Sequence, residues 1–163
     1  MSSYLRITPF TLEVSLVRPR LAVLVALGAL ACGSPGPDKV APQSPQQTLT
    51  QFMSAVKAND ISRMGTLWGS DRGPAASWMK SDELKERLTV IQKYLDHAGY
   101  RLVEGPLPVA GHDNTMSFRV ELQRANGCSV VFPVDLVRAK GGGWVVNDVH
   151  LASLSTPGGA CRQ

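Results

Sequence analysis

The chain has 163 residues and a formal net charge of +4, with 44% hydrophobic and 18% charged residues. That length supports one domain with a real core. Outside the first 31 positions there remain 14 basic and 12 acidic residues and no Lys/Arg run, which argues against a nucleic-acid partner.

The first element in chain order is an apolar run, Leu21 to Ala31 (LAVLVALGALA), behind Arg18 and Arg20 and directly before Cys32. A positive segment, a short apolar stretch and small residues at a cut site form a secretory signal. Its eleven apolar residues are too few to span a bilayer, which needs about 20. With a Cys directly after the small residues, the segment resembles a bacterial lipoprotein signal. The resemblance implies that residues 1–31 are removed and that Cys32 is lipidated. The chain is then held to a membrane on the extracytoplasmic side of a bacterial envelope. Ser34, where an Asp would retain the protein, directs the anchor to the outer membrane of a host that has one. Residues 32–43 (CGSPGPDKVAPQ) carry Pro35, Pro37 and Pro42 without periodicity and read as a tether.

Residues 44–155 read as the folded domain, with 156–163 as a tail. Ser44 is an N-cap, Pro45 takes the first helical position, and Gln47 completes a capping box. Leu49, Phe52, Met53 and Val56 then form one apolar face of a first helix. Asp60 caps a short second helix carrying Ile61, Met64, Leu67 and Trp68, and Gly69 to Pro74 breaks it. A third helix is predicted over 81–97, with Leu84, Leu88, Ile91 and Leu95 as its core stripe and His97 as a cation in its last turn. Beyond Gly99 the period changes to two. Strands are predicted near 100–109, 115–124, 128–139 and 144–152, with turns at Asn126-Gly127 and Lys140–Gly143.

Helices followed by a strand meander predict an α+β fold, with N-terminal helices packed on a curved antiparallel sheet of about four strands. The capped helix SPQQTLTQFMSAVKAND, the short helix ending in LW and the closing GGGWVVNDVHL resemble the cone-shaped superfamily of nuclear transport factor two, which includes ketosteroid isomerase. The resemblance covers roughly residues 44–152. It implies a pocket inside a cone, for which Trp68, Trp78 and Tyr94 are candidate lining residues. It also implies dimerisation through the sheet.

The last hairpin carries the candidate chemistry. A two- or four-residue loop at Lys140–Gly143 sets Val134 against Val149, Phe132 against Leu151 and Leu136 against Asn147. On the opposite face Asp135 meets Asp148, with His150 diagonal to Asp135. Two carboxylates and an imidazole on one patch are a candidate acid–base set. The apolar side, with Phe132, Val134, Leu136, Val145 and Val149, is expected to pack on the helices. That leaves Asp135, Asp148 and His150 on the outer face and without a catalytic role. There a cation, Arg119 or protonated His150, is expected between the two carboxylates. Val131, Val137, Trp144 and Val146 share this outer face and are a candidate dimer surface.

The two cysteines beyond Cys32, Cys128 and Cys161, predict a disulfide in an oxidising compartment. The three histidines show no metal-ligand spacing. No glycine-rich phosphate loop or nucleophile elbow points to a cofactor. The expected function is a lipid-anchored, non-catalytic binding or interaction domain for a small apolar ligand or an envelope protein. The alternative is a small pocket enzyme of isomerase or dehydratase type.

Overall fold

The computed structural model describes residues 44–154 and residue 157. The signal segment, Cys32, the tether and Cys161 lie outside the described residues.

Three helices precede a four-stranded antiparallel sheet, so the fold is α+β as expected. The helices are α1 (Pro45–Lys57), α2 (Ile61–Leu67) and α3 (Ser81–Leu95). A two-residue hairpin, β1 (Gly69–Ser70) and β2 (Gly73–Pro74), and a 3₁₀ turn at Ala75–Ser77 lie between α2 and α3. The main sheet has the order β3-β4-β5-β6, with β3 at Gly99–Val109, β4 at His112–Gln123, β5 at Ser129–Arg138 and β6 at Trp144–Asp148.

Local chemistry explains the helix starts. Ser44 Oγ accepts the Gln47 N–H at 3.2 Å, and Asp60 Oδ1 accepts the Arg63 N–H at 2.9 Å. The expected apolar stripes point inward. Leu49, Phe52, Met53 and Val56 meet Leu84, Leu88 and Leu95, and both sets pack on Phe118, Val120, Leu122, Phe132, Val134 and Leu136. Thr48, fully buried at the α1–β6 contact, donates from its hydroxyl to Ser44 O and to Trp144 O. The β3–β4 ladder shifts register three times, and each shift bends the strand and adds twist.

The last hairpin departs from expectation near its loop. Five residues, 139–143, connect the strands, closed by the Ala139 N–H on Gly143 O at 3.1 Å. The pairing begins Arg138↔Trp144, Val137↔Val145 and Leu136↔Val146, and a bulge at Asn147 then restores Asp135↔Asp148. Because side chains alternate, the one-residue difference exchanges faces. Trp144 and Val146 share the inner face with Leu136 and pack on the core, not on the outer face. Val145 shares the outer face with Val137, opposite to expectation. Leu136 meets Val146 rather than Asn147.

The β1–β2 hairpin braces this edge. Asn147 donates from Nδ2 to Gly69 O at 2.9 Å, and Trp68 bridges Val146 in parallel. Gly69 is required there, since a Cβ would lie 2.2 Å from Gly73 O. β6 also stops earlier than expected. Asp148 Oδ1 accepts the His150 N–H at 2.9 Å, His150 adopts a left-handed conformation (φ 39°), and the chain turns into a 3₁₀ turn at Leu151–Ser153.

Candidate functional site

The bulge at Asn147 is what places Asp135, Asp148 and His150 together. Asp135 sits on β5, cross-strand from Asp148 on β6 and Ser117 on β4. His150 Nε2 donates to Asp135 Oδ2 at 2.8 Å and lies 3.7 Å from Asp148 Oδ2. A carboxylate only accepts, so the Nε2 atom carries the proton. The imidazole therefore occupies the place between two facing carboxylates. Arg119, the other expected cation, reaches Glu104 at 4.0 Å instead.

The cluster stands on the outer face. Phe118, Val134 and Leu136 point into the core, and Ser117 and Asp135 alternate with them. The side chains of His150 and Asp148 are 37% and 58% exposed, and that of Asp135 is 21% exposed. Solvent screening makes such contacts weak. Replacing both Asp135 and Asp148 with Asn is expected to preserve the fold and change stability by no more than about 1 kcal/mol. Urea unfolding of the double variant checks this, and a loss several times larger would mean that the cluster anchors the hairpin.

The three aromatic candidates are partly buried and pack against the core. Trp68 holds the β6 edge. Trp78 donates from Nε1 to Gly73 O at 3.1 Å and carries the Arg72 guanidinium over its ring at 4.8 Å. Tyr94 lies on α3.

A recess of about 390 Å³ opens elsewhere, between α2, the Ala75–Ser77 turn and the start of α3. Its deeper side is Ile61, Gly65, Met79 and Leu84, and its rim includes Ser62, Ser81 and Lys85. Gly65 shapes it: a Cβ there would approach Leu84 Cδ2 to 3.1 Å. Nothing in the apolar periodicity signals this recess. A glycine in the middle of a short amphipathic helix is the one available cue, because it costs helix stability unless a close approach needs it. No carboxylate or imidazole lines the recess.

His97 departs from its expected role as an exposed helix-end cation. α3 stops at Leu95, and the next residues turn the imidazole inward until it is 7% exposed. Nδ1 donates to Leu95 O at 2.8 Å, and the ring stands edge-on to Tyr100 at 5.6 Å. Nε2 has no hydrogen-bond partner among the described residues. Burial pulls its pKa below the ordinary 6.5, with nearby Lys57 and Arg124 adding to the effect against the Leu95 carbonyl. The unfolded chain then takes up the proton first. His97 stability is complete above about pH 6.5 and is lost as the pH falls through the lower folded value. Unfolding free energies of the wild type and His97→Gln, followed from pH 7.5 downward, are expected to diverge in slope below that point. Parallel curves would show that His97 keeps its ordinary affinity for protons.

Among the described residues no group of three His, Cys, Asp or Glu side chains is placed to hold a metal, and no helix is long and apolar enough to cross a membrane.

No protein-family model and no curated protein matches the sequence. The solved structures to which the chain is similar include two bacterial proteins. One, from Campylobacter jejuni and described as an NTF2-like transpeptidase, is 16% identical over 64% of this chain and 99% of its own, with a TM-score of 0.43. The other, from Xanthomonas campestris and described as a calcium/calmodulin-dependent protein kinase II association domain, is 10% identical over 61% of this chain and 78% of its own, with a TM-score of 0.31. The fold assignment above rests on the chain's own element order and sheet topology.

Proposed function

We propose that the protein is a lipid-anchored binding domain on the extracytoplasmic side of a bacterial envelope, and that the recess between α2 and α3 is where a small ligand sits. The observation that carries the binding reading is the recess itself, a concave site with an apolar interior and a few polar groups at its rim. The absence of a carboxylate or imidazole from its lining favours binding over the proton abstraction that an isomerase or dehydratase needs. Asp135, Asp148 and His150 face outward from the sheet and have no catalytic role in this reading. The anchor reading is supported by the Arg18–Cys32 layout.

Expression in a bacterium fed labelled fatty acid tests the anchor. The wild type is expected to take up label and Cys32→Ser to lose it entirely. Equal labelling of the two would remove the lipoprotein reading while leaving the recess intact as a candidate site.

A further inference from the structure

The geometry points to a medium-chain carboxylate, an alkyl tail with one anionic head, as the ligand of the α2–α3 recess. This rests on the reading of the recess as a ligand site and adds the ligand's chemical class. Its volume of about 390 Å³ lies near the lower end of small-molecule clefts, about 300–1,000 Å³. It therefore suits a compact ligand.

The interior selects the tail. Ile61, Met79 and Leu84 offer apolar surface, and Gly65 presents no side chain where α2 passes α3. Met adapts its shape to irregular apolar partners. The rim selects the head. Lys85 makes no ion pair with any described residue, and neither the Ser62 nor the Ser81 hydroxyl has a hydrogen-bond partner among them. Asp82 and Glu86 stand on the same helix but do not line the recess. One ammonium and two hydroxyls suit the single charge and two oxygens of a carboxylate. A phosphate, with a higher charge, would call for further cations that the rim lacks. An alkyl ammonium would meet Lys85 as a like charge.

The test uses the full chain in membranes and a photoreactive octanoate analogue bearing a diazirine on its tail, with labelled peptides mapped by mass spectrometry. Label is expected on the segments around Ile61–Gly65 and Met79–Lys85, competed by octanoate and far less by 1-octanol or octylamine. Lys85→Gln, a change at an exposed helix position, is expected to lower labelling by about tenfold, the worth of one charge-assisted hydrogen bond. Ala76→Phe, which fills the recess from its exposed rim, is expected to abolish it. Equal competition by 1-octanol, or undiminished labelling of Lys85→Gln, would overturn the carboxylate head while the recess remained a ligand site. Undiminished labelling of Ala76→Phe, or label scattered over the surface, would overturn the recess as a site altogether.

Discussion

Phe118→Ala is expected to lower the unfolding free energy by about 3–5 kcal/mol, the usual cost of deleting a fully buried aromatic ring. Phe118 is 1% exposed near the middle of β4, paired with Val134 of β5. Its ring is covered from β3 by Gly105, where φ is +111° and a Cβ would stand 2.9 Å from Phe118 Cδ1. The backbone approaches there because no side chain intervenes, and the paired residues on either side, Glu104 with Arg119 and Leu107 with Ser117, limit how far it can close into the space that Ala leaves. The lost contacts and the residual cavity then add. Phe118→Leu, which keeps much of the volume, is expected to cost markedly less. Val131→Ala, on the outer face of the same sheet and 40% exposed, is expected to stay within about 0.5 kcal/mol, the usual range for surface changes. Urea unfolding of the three variants gives the comparison. A Phe118→Ala cost close to that of Val131→Ala would mean that the inner sheet face is not the centre of the core.

How much of this was legible in the sequence depends on how local the determinants are. α1 is legible in full because its cap, its first-turn proline and its apolar stripe all lie within thirteen consecutive positions. The inward faces of β4 and β5 follow from strict alternation, as Phe118, Val120 and Leu122 and Phe132, Val134 and Leu136 show. The β5–β6 hairpin is harder, because three glycines in a row allow several loop lengths and the loop's parity decides which of Val145 and Val146 faces inward. The five-residue loop and the Asn147 bulge offset each other. The Asp135–Asp148 pairing therefore comes out as expected although the pairing nearer the loop does not. The bulge depends on Asn147 reaching Gly69 O, 78 positions away in the chain. No local pattern encodes that contact. The recess is non-local in the same way, since it needs a glycine on one helix and small residues on the turn before another. His97 departs from its expected place because its burial depends on where α3 stops, and a break two residues before the imidazole turns an exposed helix-end position into a buried one.

Breaking a Cys128–Cys161 bridge is expected to cost about 3–4 kcal/mol in the chain-entropy account, for a loop of 34 residues. The described residues hold one end of such a bridge. Cys128 stands directly before β5, with its carbonyl accepting the Arg124 N–H at 2.7 Å and its N–H donating to Asn126 Oδ1 at 3.1 Å. Leu154 is 6% exposed within the core, and the turn before it packs against β5. The fold thus holds the chain to residue 154 beside the strand that Cys128 opens. Seven further residues, 155–161, lead to Cys161, and seven residues span up to about 23–25 Å when extended. In the unfolded chain the same bridge would remove most of the freedom of β5, β6 and their loop. Thiol titration of the denatured, unreduced protein is expected to find neither Cys128 nor Cys161 free. Cys128→Ser, Cys161→Ser and the double variant are expected to lose the same stability, and reductant to bring the wild type down to their level. Unequal single variants would show that one thiol acts alone, and two reactive thiols in the unreduced protein would reject the bridge.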